Sequence, residues 1–199
     1  MVSISNGNKK TGAIKSVSTP AKITCRKGCP CFTKCYAERY SRFRPNVRAA
    51  YQRNYETLRD FPEQYWREVE AAIMTSRFFR FHVSGDIPDL DYFRNMVEVA
   101  ARNKYCEIVC FTKQYEIVNE GIRRGYRIPA NLHLIMSGWR GLEMDNPFHL
   151  PEAHVRYKDG FTTASPNAKE CGGNCTTCAS TNDGCWSLKN GEQVVFNEH

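Results

Sequence analysis

The chain has 199 residues, of which 41% are hydrophobic, 25% charged and 12% aromatic. This composition is ordinary for one folded domain with or without a small appendage, and it argues against wholesale disorder. No apolar run approaches the roughly 18 residues that a membrane helix needs. The first twelve residues lack the apolar core of a secretory signal. We therefore expect a cytoplasmic protein with no membrane partner.

Charge is unevenly spread along the chain. Residues 1–59 hold 13 Lys and Arg against 2 Asp and Glu, residues 60–140 hold 11 of each, and residues 141–199 hold 4 against 8. A basic segment of this size attracts phosphates, so residues 1–59 indicate a nucleic acid or nucleotide partner. An ordinary solvated face is the alternative interpretation.

Helix-like and strand-like segments alternate through the first two thirds of the chain. Apolar periodicity predicts helices in the segments 36–43, 63–76, 90–102 and 114–124, and a further helical face from Val47 until Pro62. Asp89 is the predicted N-cap of the helix at 90–102. Strands are predicted at 13–19, 78–84, 106–112, 132–136 and 193–196. The order predicts an α/β fold with a parallel sheet, either open and doubly wound or a full or partial barrel.

Polar residues follow three of these predicted strands. They are Ser84-Gly85-Asp86, Thr112-Lys113 and Ser137-Gly138-Trp139. Turn formation alone explains any single one of them. Ligands of parallel sheets gather beyond the carboxyl ends of the strands, however, and three polar ends in succession favour a site there.

Ten cysteines are the unusual feature of the composition. Without an export signal the compartment is reducing and disulfides do not persist, so the cysteines indicate a metal, a cluster or catalysis. Four of them, Cys25, Cys29, Cys31 and Cys35, lie within eleven residues, and lysines and arginines lie among and beside them. Positive charge favours thiolates, and thiolates at short spacing select zinc, copper(I) or iron–sulfur clusters.

A second group of four thiols lies near the C-terminus. Cys171, Cys175, Cys178 and Cys185 have the number and spacing to ligate a [4Fe–4S] cluster, and a Cys₄ zinc site is the alternative. The remaining pair, Cys106 and Cys110, shares one face of a predicted strand, so we expect both to pack in the core. His82 and His133 are expected in the core for the same reason.

Several short motifs carry a resemblance to a known family. The opening Gly7-Asn8-Lys9-Lys10-Thr11-Gly12, the central Thr24-Cys25-x3-Cys29-Pro30 and Cys35-Tyr36-Ala37, and the closing Cys185-Trp186 and Val194-Val195-Phe196-x-x-His199 resemble the phage gene product 88 group. More widely, the chain is similar to radical-SAM-like proteins. The resemblance covers nearly the whole chain and implies the host cell cytoplasm as its location if the chain is phage-encoded.

The resemblance implies a cofactor and a ligand set. A [4Fe–4S] cluster would sit on Cys25, Cys29 and Cys35, with its fourth iron free to bind S-adenosylmethionine and with Cys31 as an extra thiol. Asp86 would take the acidic position of the motif that holds the methionine amino group. The chain departs from the usual C-x3-C-x2-C spacing, which occurs literally only at Cys171, Cys175 and Cys178.

The leading hypothesis combines these observations. It is a partial, truncated parallel βα barrel in residues 1–150, because six complete repeats do not fit before Cys171, with a cysteine-rich segment 151–199 packed on the same domain. The protein would cleave S-adenosylmethionine reductively for radical chemistry on an unknown substrate, with electrons from a reductant protein. The second cluster would be auxiliary. The expected contacts of S-adenosylmethionine are Tyr36, Ser84, Gly85, Asp86, Thr112, Lys113 and Ser137.

A rival hypothesis from another class is a non-catalytic phage protein, stabilised by zinc or a cluster, that binds nucleic acid. Arginines for phosphates and aromatics for base stacking interleave between residues 36 and 55. The aromatics recur at helical spacing, which predicts that they face the core and leave the arginines outside.

Overall fold

The computed structural model describes residues 1–198, so His199 of the C-terminal motif lies outside the described residues. It is an α/β fold with one seven-stranded sheet. The strands are β1 (Lys15–Val17), β2 (Phe78–Phe81), β3 (Glu107–Thr112), β4 (Leu132–Ser137), β5 (Glu152–Arg156), β6 (Lys169–Glu170) and β7 (Gln193–Asn197). The helices are α1 (Tyr36–Arg42), α2 (Pro45–Asp60), α3 (Pro62–Met74), α4 (Leu90–Arg102), α5 (Tyr115–Arg123) and α6 (Cys175–Thr181). Within residues 1–198 no helix combines the length and the hydrophobicity needed to cross a bilayer.

The strands are all parallel and lie in the order β1-β2-β3-β4-β5-β7-β6. Each of the first four strands therefore pairs with the next one along the chain. Parallel neighbours need a crossover, and right-handed crossovers between sequential neighbours carry their helices to the same face of the sheet. The prediction of an α/β fold with a parallel sheet is confirmed.

Helices cover one face of the sheet. Phe81, Cys110 and Leu134 project from β2, β3 and β4 into a core that also contains Phe93 of α4 and Val118 of α5, and all five are buried. Because side chains alternate along a strand, every second residue of these strands joins this core. Cys110 and its strand neighbour Cys106 lie in it as predicted.

The opposite face of the sheet is covered by the C-terminal segment. Val109, Ile135 and Val194 point to this side and form a second core with Trp186. The four C-terminal cysteines pack against the same core. This face therefore carries cysteines rather than crossover helices, and it borders the cavity described below.

Residues after 150 extend the same sheet. β5 pairs with β4, and β7 lies between β5 and β6. The sequence patterns predicted β7 but neither β5, β6 nor α6. Among the helices, α4 has the predicted bounds, and its N-cap is confirmed because Asp89 Oδ1 accepts a 2.7 Å hydrogen bond from Tyr92 N.

Candidate active site

A cavity of about 1910 Å³ opens on the face of the sheet opposite α3, α4 and α5. Its wall contains every cysteine that was predicted to bind a metal: Cys25, Cys29, Cys31, Cys35, Cys171, Cys175, Cys178 and Cys185. Of the residues predicted to bind S-adenosylmethionine, Tyr36, Ser84, Gly85, Asp86, Lys113 and Ser137 also line it. Thr112 is not part of the wall, and it lies fully buried behind Asp86.

The loop that carries the first cysteines is fastened to the carboxyl ends of β2 and β3. Thr24 Oγ1 accepts a 3.1 Å hydrogen bond from Asp86 N, and Thr24 O accepts one of the same length from Gln114 Nε2. Gly85 makes this contact possible, because a Cβ at that position would lie 2.0 Å from Thr19 Oγ1. Its φ of +82° also favours glycine. Cys25 is thereby held next to the end of the sheet.

The Asp86 carboxylate organises this end of the sheet. Its oxygens accept hydrogen bonds from Thr112 Oγ1 at 2.6 Å, from Lys113 N at 2.8 Å and from Ile87 N at 2.8 Å. Burial raises the pKa of Asp86, while these three hydrogen bonds and the Lys113 ammonium lower it. The carboxylate thus lines the cavity and also connects the loop after β2 to the end of β3 through hydrogen bonds.

Two of the four N-terminal thiols contact each other, and the charge of Lys113 acts on three of them. Cys29 Sγ and Cys31 Sγ are 2.8 Å apart, and Cys25 Sγ accepts a hydrogen bond from Lys22 N at 3.4 Å. The hydrogen bond from Cys31 lowers the pKa of Cys29 and in turn raises the pKa of Cys31. Burial raises the pKa of Cys25 to about 12. Lys113 favours the thiolate form of Cys25, Cys29 and Cys31.

Lys113 continues the polar wall toward β4. Its Nζ donates a 2.8 Å hydrogen bond to Ser137 Oγ and lies 5.9 Å from the centre of the Trp139 ring. Ser84, on the other side of Asp86, has a buried Oγ without a hydrogen-bond partner among the described residues. A buried hydroxyl without a partner costs free energy, so Ser84 Oγ is a free polar contact for a ligand in the cavity.

The second cysteine set surrounds the start of α6. Cys171 follows β6, Cys175 and Cys178 lie in α6, and Cys185 lies in a 3₁₀ helix at Gly184–Trp186. The Asn174 side chain caps α6 by accepting a 3.0 Å hydrogen bond from Thr177 N. Burial, and to a smaller extent the charges of Cys171, Cys175 and Cys178, raise the pKa of Cys185 to about 12, so all four thiols are within electrostatic range.

The opening motif of the chain docks on this second set. Lys10 O accepts a 3.0 Å hydrogen bond from Cys175 N, and Thr11 O accepts one of 3.1 Å from Thr176 Oγ1. Gly12 lies so close that a Cβ there would be 1.9 Å from Thr176 Oγ1. The Gly7–Gly12 segment therefore supports α6 although 163 residues separate them in the chain.

Two further residues of the cavity wall lie near the cysteines, Tyr36 near both sets and Arg80 near Cys185. Tyr36 interacts electrostatically with Cys35 and with Cys175, and its hydroxyl donates a 2.8 Å hydrogen bond to Val83 O. Arg80 projects from β2 into the cavity, where its charge favours the thiolate form of Cys185. Arg80 Nε is buried without a hydrogen-bond partner among residues 1–198. Sequence reasoning missed Arg80, although a charged residue inside a Phe-rich strand is an available signal.

These surroundings fit thiolate-ligated iron in the number and type of donors. Eight soft sulfur ligands in two groups of four, next to positive side chains, are the donor set of iron–sulfur or zinc sites. Arg80 Nε is a spare donor for sulfur. As the side chains stand, no group of three or more His, Cys, Asp or Glu in residues 1–198 is arranged to hold a metal ion. Each thiolate of a cluster binds a different iron, so the thiols need not converge on one point.

The prediction that the aromatics of the basic segment face the core is wrong for three of them. Tyr36, Tyr40 and Phe43 are 51%, 44% and 74% exposed, and Tyr51 and Tyr55 are half-buried. The reason is that α1 packs little of its surface, since Ala37 is its one buried residue. The predicted helix is present, but most of its surface, including these rings, is not buried against other segments.

Comparison with known proteins gives one match. No curated protein and no solved structure matches the chain. The sequence pattern described as Gene product 88 matches residues 3–192, a span that contains both cysteine sets, the opening motif and the strand ends that line the cavity. On that match, the chain belongs to the phage gene product 88 family.

Proposed function

We propose that this protein is a radical-SAM-type iron–sulfur enzyme that cleaves S-adenosylmethionine reductively for radical chemistry on a further substrate. One observation carries the proposal. The eight cysteines of the two groups all line one cavity at the ligand-binding end of a parallel sheet, whereas the other two lie buried in the opposite core. Structural zinc sites do not require a shared cavity of this size.

The first cluster would be held by Cys25, Cys29 and Cys35, with Cys31 as an extra thiol. Thr24 supports this assignment, because its two hydrogen bonds fix the loop just before Cys25 against the ends of β2 and β3. When bound and reduced, such a cluster supplies the one electron that breaks the sulfur–C5′ bond of S-adenosylmethionine, yielding methionine and a 5′-deoxyadenosyl radical. A reductant protein of the host cytoplasm would replace the electron.

The residues at the strand ends would hold S-adenosylmethionine. Asp86 offers a carboxylate to the methionine ammonium, and Lys113 offers an ammonium to the methionine carboxylate, since charge-assisted hydrogen bonds are the strong ones. Ser84 Oγ and the Ser137 hydroxyl add uncharged contacts. Thr112, behind Asp86, would position the carboxylate without touching the ligand.

The second cluster would be held by Cys171, Cys175, Cys178 and Cys185 and would serve as an auxiliary centre. Arg80 supports it, because its Nε has no hydrogen-bond partner among residues 1–198 and its positive charge lowers the pKa of Cys185. Tyr36 lies within electrostatic range of both sets, so the two centres would border one substrate space.

The fold would serve as a partial βα barrel. Sequential pairing of β1 to β5, with helices packed on one face, is the arrangement from which closed βα barrels are built. In such an arrangement the opposite face is interior. The C-terminal cysteines would then fill the interior that remains open because the barrel has too few repeats.

Iron content and S-adenosylmethionine turnover test the proposal together. Protein purified without oxygen should be brown, absorb near ~400 nm through thiolate-to-iron charge transfer, and contain iron and sulfide. With dithionite it should convert S-adenosylmethionine to methionine and 5′-deoxyadenosine. Cys25→Ala should abolish turnover, whereas the matched control Cys106→Ala, a buried core cysteine, should not. A colourless protein with stoichiometric zinc would overturn the proposal.

A further inference from the structure

The surface beside the cavity mouth combines exposed aromatic rings with arginines. Tyr40 and Phe43 are 44% and 74% exposed, and Arg39, Arg42 and Arg44 between and beside them are exposed as well. We call these five residues the aromatic–arginine rim. All five line the cavity, so the rim and the cysteine-bearing interior form one continuous surface.

The rim holds positive charge that the protein does not neutralise. No ion pair within residues 1–198 involves Arg39 or Arg44, and the Arg44 guanidinium lies 3.8 Å from the centre of the Tyr40 ring. Arg42 has one partner, Glu38, at 3.5 Å. The stacked arrangement of Arg44 and Tyr40 presents a flat, cationic face to the solvent.

The same charge excess extends into the cavity. Twelve Lys and Arg line it, against four Asp and Glu. A concave wall dominated by one sign of charge concentrates ligands of the opposite sign. The natural occupant of the rim and the cavity together is therefore a polyanion that also has flat apolar groups.

We propose that the aromatic–arginine rim binds single-stranded nucleic acid and leads one nucleotide of it into the cavity. Arginines track the phosphates, and Tyr40 and Phe43 stack on unpaired bases. A duplex keeps its bases stacked inside, out of reach of these rings. The role of the bound strand as substrate rests on the proposed function, whereas the binding itself does not.

An acidic protein, such as an electron donor, is the main competitor for a basic surface. It would pair with the arginines but gains little from exposed rings that lie between them. Phe43, the most exposed ring of the rim, follows α1 directly and leaves 74% of its surface uncovered by residues 1–198. The rings therefore favour nucleic acid over an acidic protein partner.

Fluorescence anisotropy with labelled oligonucleotides tests the proposal on the whole chain, purified without oxygen. The probes are a mixed-sequence single strand of about 12 nucleotides, the matching duplex, and poly-glutamate as a competitor. We expect Tyr40→Ala/Phe43→Ala to weaken single-strand binding by about tenfold or more, since stacking on each ring contributes substantially. The matched control, Tyr105→Ala/Arg123→Ala, removes an exposed ring and an exposed arginine outside the cavity and should bind normally.

Salt dependence gives a second readout. Replacing Arg39, Arg42 and Arg44 by Gln should lower the slope of log affinity against log salt by about 2, at roughly 0.7 per phosphate contact on a single strand. Equal binding of the ring variants and the wild type, tighter binding of the duplex, or full displacement by poly-glutamate at equal charge would overturn the proposal. Iron is measured on the same samples. Nucleic-acid binding by a protein without iron would contradict the proposed enzyme and leave the proposed rim supported.

Discussion

Thr112 Oγ1 donates a 2.6 Å hydrogen bond to Asp86 Oδ1 and so joins the loop after β2 to the end of β3. The same hydroxyl accepts a 3.0 Å hydrogen bond from Gln114 N. Thr112 is buried, and Asp86 reaches the cavity with its position fixed from behind. A carboxylate held in this way is preorganised, because its orientation does not have to be established when a ligand binds.

The first prediction separates the charge of Asp86 from its position. Asp86→Asn should keep the fold and the iron content and weaken S-adenosylmethionine binding by about tenfold or more, since losing a charged partner costs about 1.5–3 kcal/mol. Thr112→Val keeps the charge and should lower the stability by about 1 kcal/mol with a smaller effect on binding. Titration of S-adenosylmethionine into the reduced proteins measures both. Equal affinity of Asp86→Asn and the wild type would remove Asp86 from the ligand site.

The second prediction concerns the ligand set of the first cluster. Cys25→Ala, Cys29→Ala and Cys35→Ala should each lose the iron of one cluster, whereas Cys31→Ala should lose much less, because three thiolates suffice for a cluster with an open iron. Iron per protein after anaerobic purification is the measurement. Loss of iron in Cys31→Ala equal to that of its neighbours would indicate a closed four-thiol site, consistent with the 2.8 Å contact between Cys29 and Cys31.

The third prediction concerns Arg80 and the second cluster. Burial raises the pKa of Cys185, and Arg80 acts in the opposite direction. Arg80→Met keeps the length of the side chain but removes the charge, so the reduction potential of the second centre should become more negative and iron retention there should fall. Arg80→Lys, the matched control, should restore most of the potential. A redox titration that gives the same potential for Arg80→Met and the wild type would show that Arg80 does not face that centre.

The fourth prediction concerns stability in acid. Burial lowers the pKa of His82 to about 3, while an unfolded histidine titrates near ~6.5. Between these values the unfolded chain binds the proton and the folded chain does not, so stability falls as the pH decreases, by up to about 1.4 kcal/mol per pH unit. His82→Asn, which tolerates the φ of +58°, should flatten this slope.

Urea unfolding of both proteins at pH 7 and pH 5 measures the His82 effect. Carboxylates with lowered pKa values also lose stability in acid, but they do so equally in both proteins and cancel in the comparison. Parallel stability curves for His82→Asn and the wild type would contradict the prediction. The variant also loses the 3.0 Å hydrogen bond between His82 Nε2 and Tyr92 OH, which lowers its stability at every pH.

Most of the first four strands and the helices between them could be predicted from the sequence, whereas β5 could not. In β2, β3 and β4 the residues on the helix-covered face are apolar and buried, so the strands appear in the sequence as runs of hydrophobic residues. In β5 the corresponding residues are polar and are satisfied by side chains, since His154 Nε2 contacts Glu152 Oε2 at 2.9 Å and Gln193 Nε2 donates to the same oxygen at 2.8 Å. A strand whose buried residues form a polar network shows no hydrophobic run in the sequence. Pro151, directly before β5, is also typical of a loop.

In the candidate site, too, features encoded by neighbouring residues could be predicted, whereas contacts between residues far apart in the chain could not. The two cysteine groups are visible as short motifs, and the polar strand ends follow from the rule for parallel sheets. The contact of Lys10 with Cys175, and the placement of Tyr36 near both groups, join residues far apart in the chain. No local pattern specifies them. The exposure of Tyr40 and Phe43 depends likewise on how little of α1 is covered by its neighbours, of which α2 is one.

The position of β7 sets an order of events during synthesis. Among residues 1–198, β6 pairs only with β7, and β7 is also the second neighbour of β5. The segment that carries Cys171, Cys175, Cys178 and Cys185 can pack on β3 and β4 earlier, but β6, which leads into it, has its strand partner only after residues 193–197 have been synthesised. If the proposed clusters form during synthesis, the first cysteine group would be complete before β7 exists and the second would still lack the paired β6 and β7 beside it, so we expect the second group to be filled last.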